Sequence, residues 1–199
     1  DHRDLHLSIR RQRQMCIRDS PDTILLAVVG MSPAILTETI WALAHEPRPV
    51  LPRRIIAVTT TEGRRHVAGQ LFAPSARFGG RTPWEALRDA LAAAGHSLKG
   101  RLRFGTTPDD LRVITATDPA SGQSRELADI RSPSDNEAAA DFLLETLRRF
   151  TENADCRVIA SIAGGRKTMG EWHWEHSEGS FLMRDSRSKS FESGGAGFS

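Results

Sequence analysis

Two short stretches hold residue types that suit the binding of a phosphorylated ligand. The first is Gly30-Met31-Ser32-Pro33, which follows the apolar run Ile24 to Val29. The second is Gly164-Gly165-Arg166-Lys167-Thr168, which follows Arg157 to Ala163. In the second, the glycine pair lets backbone approach a phosphate closely. Arg166 offers a forked guanidinium and Lys167 a mobile point charge. Thr168 adds a hydroxyl that can cap a helix or hold an oxygen. In the first, Ser32 suits a helix N-cap and Pro33 the first helical position. Backbone amides at such a helix start attract anions. Thr59, Thr60 and Thr61 end another apolar run and offer three more hydroxyls, which also suit plain β-propensity and capping. The Walker spacing G-x-x-x-x-G-K-[ST] is absent. No G-x-G-x-x-G follows the first run, which disfavours a dinucleotide redox cofactor.

These residues need elements to hold them. Thr23 to Val29, Arg54 to Thr59 and Arg157 to Ala163 read as strands buried on both faces. A helix is expected from Pro33 to about Ala44, with Leu36, Ile40 and Leu43 inward and Glu46-Pro47-Arg48-Pro49 as its stop. Another runs to Leu71. Thr82-Pro83-Trp84-Glu85 is a capping box whose helix turns Trp84, Leu87 and Leu91 inward and ends at Gly95. Arg101 to Phe104 reads as a short strand. Val113–Thr115 and Glu126–Ile130 flank a turn and read as a hairpin. Ser134-Asp135-Asn136-Glu137 reads as a second capping box, leading a helix with Ala139, Leu143, Leu147 and Phe150 on one stripe. Strands alternating with helices predict one α/β domain over residues 21–170, a Rossmann-like, doubly wound, mostly parallel sheet. Ligands of such sheets bind outside the carboxyl ends of the strands.

The chain has 199 residues, 39% hydrophobic and 26% charged, which suits a globular domain. No apolar run is long enough for a membrane helix, and no apolar segment follows the basic start as in a signal peptide. Two cysteines, Cys16 and Cys156, make no disulfide framework, so a reducing, cytoplasmic setting is expected. Cys156 is expected as a structural thiol. The formal charge is +2, and residues 1–20 account for it; the remainder has 22 basic and 22 acidic residues. A basic field for duplex DNA is therefore absent, and an anion must be held by local groups.

The ends differ in character from the middle. Gln14 to Ser20 reads as the translation of a sequencing adaptor, so residues 1–20 are expected to be that or a disordered tail. From Glu171 onward the apolar periodicity stops. Residues 171–199 are expected as a frameshifted or disordered tail, leaving the C-terminal part of the domain truncated or scrambled. His173 and His176 have a spacing open to a metal, but no third ligand is evident, and no metal site is expected. His45, His66 and His96 are expected to be solvated, and Asp129 to pair with Arg131.

The motifs together resemble a CRISPR-associated family of the CARF (CRISPR-associated Rossmann fold) group. The resemblance rests on Gly30 to Thr39 with Trp41-Ala42-Leu43 and on Thr59-Thr60-Thr61-Glu62-Gly63. It rests further on Asp129-Ile130-Arg131 with Asp135-Asn136 and Ala139 to Phe142, and on Ser161 to Met169. It covers about residues 22–170 and implies recognition of cyclic oligoadenylate, cyclic tetra-adenylate above all. The stretch after Lys167 is too short for a fused ribonuclease domain. The resemblance therefore implies a stand-alone, homodimeric ring nuclease that ends type III CRISPR signalling, or a sensor that binds the ring without cutting it. It implies catalytic roles for Ser32 and Lys167. Gly30, Met31, Pro33, Thr59, Thr60, Thr61, Gly164, Gly165, Arg166 and Thr168 would contact the ligand. No cofactor or metal is implied.

Overall fold

The computed structural model describes residues 22–118, 120–152 and 156–164, with the backbone of 172–177, 180–185 and 191–192. The expected tail of residues 1–20 lies outside the described residues.

Strand β1 (Asp22–Val29) is followed by helix α1 (Ala34–Ala44), strand β2 (Arg54–Thr59) and helix α2 (Thr61–Leu71). Helix α3 (Pro83–Ala93) leads to strand β3 (Leu111–Val113). Strands β4 (Thr115–Thr117) and β5 (Ser124–Glu126) form a separate antiparallel hairpin. Helix α4 (Pro133–Thr151) returns the chain to β6 (Cys156–Gly164). The parallel part of the main sheet has the order β3-β2-β1-β6. Strands β7 (Trp172–Ser177), β8 (Ser180–Asp185) and β9 (Phe191–Glu192) extend it antiparallel beyond β6. The aperiodic sequence after Glu171 does not announce them. This is the expected Rossmann-like α/β architecture, doubly wound around a mostly parallel centre.

Alternate residues of β1 and β2 feed two cores. Leu25, Ala27, Val29, Ile55 and Ala57 pack under α1, α2 and α3 with Leu36, Ile40, Val67, Leu71, Trp84 and Leu91. Ile24, Leu26, Ile56 and Val58 face the other way, toward Ile114, Leu127, Ile130 and Ala139. Leu25, Leu26, Ile55 and Ile56 are fully buried, each worth about 1.5–3 kcal/mol of transfer free energy. Helix α4 contributes Leu143, Leu147 and Phe150 to the second core as partly buried side chains.

Several local expectations need correction. The capping box before α4 starts at Ser132, not Ser134. Ser132 Oγ accepts from the Asp135 amide at 3.1 Å, and Asp135 Oδ2 accepts from the Ser132 amide at 3.0 Å. Pro133 explains the choice, since its fixed φ suits the first helical position and makes Ser132 the cap. Arg101 to Phe104 is not a strand. Leu102 has a φ of 55°, which breaks an extended run, and only Arg103 bridges β2, at Arg54. Val113 belongs to the main sheet, so the hairpin begins at Thr115. The box at Thr82 and Glu85, the inward Trp84, Leu87 and Leu91, and the stop at Gly95 (φ 90°) are as expected.

The two boxes make stability depend on acid. The Thr82 backbone and then its hydroxyl hold the Glu85 carboxyl below its ordinary value of 4.5. The Arg131 backbone and then the Ser132 side chain do the same for Asp135, ordinarily at 3.8. A depressed carboxyl stabilises the fold above its unfolded-state value and loses that contribution as pH falls through the folded one. The double variant Glu85→Gln, Asp135→Asn should therefore show a flatter loss of stability than the parent below pH 4.5. Urea melts across that range check it; parallel curves would remove the boxes as the source.

Candidate functional site

In a doubly wound sheet the crevice for ligands opens where successive crossovers go to opposite sides. Here that point lies between β1 and β6. From β1 the chain moves outward through α1 to β2 and β3, and it returns over the other face through α4 to β6. The register places Val29 opposite Gly164. The turn that begins at Gly30 and the end of β6 at Gly164 thus lie at one edge of neighbouring strands. The ladder shifts just before this edge: Ala27 pairs with Ser161 but Val29 with Gly164, so β6 carries one extra residue. Such bulges re-aim a strand end.

The turn after β1 differs from the sequence expectation. Pro33, not Ser32, is the N-cap of α1, and no side chain caps the helix. Pro33 has neither an N–H nor a side-chain oxygen, so it can start the helix but cannot close it. The Leu36 amide bonds Pro33 O at 3.0 Å. Among the described residues, the amides of Ala34 and Ile35 have no acceptor. Ser32 is exposed, and its hydroxyl has no partner among the described residues. Met31 beside it is 58% exposed, Gly30 half-buried and Pro33 buried. Among the described residues these amides and this hydroxyl are therefore open at the positive end of a helix dipole, the kind of place that attracts anions.

The turn after β2 is closed instead. The Thr61 amide donates to Leu127 O at 2.9 Å and the Glu62 amide to Ala128 O at 3.3 Å. The Gly63 amide donates to Thr60 Oγ1 at 3.2 Å, and the Arg64 amide to Thr60 O at 2.8 Å. Every orphan donor of the first turn of α2 is satisfied within the chain. The Thr59 hydroxyl is 1% exposed and donates to Val29 O. Thr61 Oγ1 donates to Leu127 O at 3.5 Å. The three threonines thus carry structural bonds at the place where the sequence suggested ligand contacts.

Gly63 was legible only as part of a motif, and its role is steric. A Cβ there would lie 2.0 Å from Thr59 Oγ1 and 3.2 Å from the carbonyl oxygens of Gly30 and Val29. The bare Cα lets the start of α2 sit against the end of β1. Another element not foreseen is Asp110, buried just before β3. It accepts from Arg54 Nε at 2.9 Å, and Arg54 also donates to Asp109 O at 3.0 Å. This pair ties the start of β2 to β3, at the far edge from the site.

Of the other residues named from sequence, Gly164 ends β6 at the crevice. Gly165, Arg166, Lys167 and Thr168 lie outside the described residues. Asp129 and Arg131 pair at 3.3 Å. Cys156 is half-buried; its thiol donates to Asp22 O, and burial with the Asp22 charge pushes its pKa up. His45 stacks on Trp41 and meets His96 edge-on at 5.6 Å between centroids. Among the described residues no group of three or more His, Cys, Asp or Glu side chains is placed to hold a metal. Among them, too, no helix is long and apolar enough to cross a membrane.

Fold and topology define a Rossmann-like α/β protein whose sheet has its switch point between β1 and β6. The family model described as CRISPR-associated protein NE0113 matches residues 32–174, and the chain belongs to that CRISPR-associated family. The matched span includes both Ser32 and Lys167. Comparison with curated proteins and with solved structures found no match.

The steric role of Gly63 is open to direct measurement. Gly63→Ala should lower stability by about 1–3 kcal/mol, the usual range for overpacking. Gly69, in the same helix, has nothing within 4 Å of an added Cβ. Gly69→Ala should instead gain up to about 1 kcal/mol from helix propensity. Equal effects in chemical denaturation would contradict the close approach at Gly63.

Proposed function

We propose that this protein binds cyclic oligoadenylate, cyclic tetra-adenylate above all, and opens its ring without a metal ion. The observation that carries the reading is the meeting of the open α1 N-terminus with the end of β6, at Val29 and Gly164. Membership of a CRISPR-associated family supports it, as does the likeness of the motifs to those of ring nucleases.

The nucleophile in this reaction belongs to the substrate. A ribose 2′-hydroxyl attacks the adjacent 3′-phosphate in line, and the bond from phosphorus to the 5′-oxygen breaks. The products are a 2′,3′-cyclic phosphate and a 5′-hydroxyl, which takes up the proton. The protein must hold the in-line geometry and offset the charge that builds on the phosphate. Ser32 positions the ribose or phosphate, together with the open amides of Ala34 and Ile35. Lys167 stabilises the transition-state charge. Arg166 and the amides of Gly164 and Gly165 hold neighbouring phosphates. The roles of residues 165–168 rest on their place in the chain directly after β6. Gly30, Met31 and Pro33 line the approach to Ser32. A symmetric ring suits a site repeated across the two-fold axis of a homodimer. Cleavage of the messenger would end type III CRISPR signalling in the cytoplasm.

Incubation of the full chain with cyclic tetra-adenylate and a chelator tests the reading. Linear products bearing a 2′,3′-cyclic phosphate are expected. Lys167→Ala should lower single-turnover cleavage by about 10²-fold or more, the scale of losing one preorganised charge stabiliser, while retaining binding. Ser32→Ala should also cleave more slowly. Unchanged cleavage in Lys167→Ala would remove that residue from the mechanism. An intact ring at saturated binding would make the protein a sensor rather than an enzyme.

A further inference from the structure

The bond between Thr59 and Val29 has a consequence for the site beyond holding two strands together. Val29 is the last residue of β1, and the turn bearing Ser32 begins one residue later. At this place the β1–β6 ladder is out of register. The Thr59 hydroxyl, buried on β2, donates to Val29 O at 2.5 Å. Gly63 packs over the same spot, 3.2 Å from the carbonyl oxygens of Val29 and Gly30 by the position of a Cβ it lacks. The first turn of α2 is itself pinned by the carbonyls of Leu127 and Ala128. The end of β1 is thus clamped from one side by a hydroxyl and a helix start, while the Ser32 side of the turn stays open.

We infer that Thr59 is a positioning residue: through Val29 O it fixes the Gly30–Pro33 turn, and so sets where the Ser32 hydroxyl and the α1 amides meet the ligand. It touches no ligand itself, since its hydroxyl proton is committed and its side chain is buried. The inference rests on the ring-cleaving reading for its effect on chemistry. Its structural half, the clamp on the turn, stands without that reading. Geometry errors of this kind act on the reacting step more than on binding, because in-line attack tolerates little displacement.

The test compares Thr59→Val, which removes the hydroxyl, with Thr59→Ser, which keeps it. Two readouts are taken on the full chain: cleavage of cyclic tetra-adenylate with its binding affinity, and, without ligand, hydrogen exchange of the Leu36 amide, which bonds Pro33 O in this turn. Thr59→Val should cleave about 10-fold more slowly under single turnover, with affinity changed by less than about 3-fold. Its Leu36 amide should exchange about 10-fold faster. Thr59→Ser should match the parent in both. Parent-like cleavage by Thr59→Val, with Ser32→Ala impaired, would overturn the inference and leave the functional reading intact. Should the parent itself not cleave, that reading fails, and exchange decides the clamp: faster exchange at Leu36 supports it, and unchanged exchange overturns it. If Thr59→Val does not fold, Thr59→Ala takes its place in both measurements.

Discussion

Everything in this fold hangs on β1 being paired on both edges and covered on both faces. It lies between β2 and β6, parallel to each. Parallel neighbours cannot be joined by a tight turn, so each pairing demands a crossover, and crossovers are right-handed. The chain meets that demand with α1 toward β2 and with α4 toward β6. These helices then lie on opposite faces, which is why β1 needs apolar residues at odd and even positions alike. The run Ile24-Leu25-Leu26-Ala27-Val28-Val29 satisfies both cores at once. The crevice is a by-product of the same constraint. The chain runs outward from β1 over one face and back to β6 over the other, so the switch point falls between these strands, at the edge where Val29 and Gly164 end them.

How much of this was legible follows from what each signal encodes. Buried parallel strands write themselves as apolar runs, so β1, β2 and β6 stand out in sequence. The Thr82 box and Gly95 are local devices and bracket α3 well. Local rules fail where two of them compete within a few residues. Both Ser132 and Ser134 can cap a helix with a carboxylate three residues on or nearby; Pro133 decides between them. Leu102 illustrates a different limit, because its positive φ is set by the backbone bonds of Leu102 to Pro52 and Arg103 to Arg53 rather than by its type. Asp110 is invisible in sequence, since its partner Arg54 lies 56 residues away.

The threonine segment shows why residue type alone does not assign a site. Thr59, Thr60 and Thr61 sit at the correct end of a strand and carry the correct groups. Each hydroxyl nevertheless makes a bond within the fold: Thr59 and Thr61 donate to the carbonyls of Val29 and Leu127, and Thr60 accepts from the Gly63 amide. The segment after β5 closes α2 with two backbone carbonyls, a kind of cap that side-chain patterns cannot announce. The glycine of the same motif serves the packing of α2 against the end of β1. The structure adds to these three residues a set of bonds that tie the start of α2 to the end of β1 and to the segment after β5.

The first turn gains by the opposite route. Had Ser32 capped α1, its hydroxyl would have accepted from an amide two or three residues on, and both groups would have been lost to a ligand. Moving the cap to Pro33 leaves the hydroxyl and the amides of Ala34 and Ile35 without partners among the described residues. A helix start without a cap is destabilised by roughly 1 kcal/mol relative to a capped one. Burial of Leu36, Ile40 and Ala44 against the central strand offsets that loss many times over. The core thus holds in place a helix whose N-terminus remains unfinished, and an anion lying between Gly30 and Gly164 would complete it.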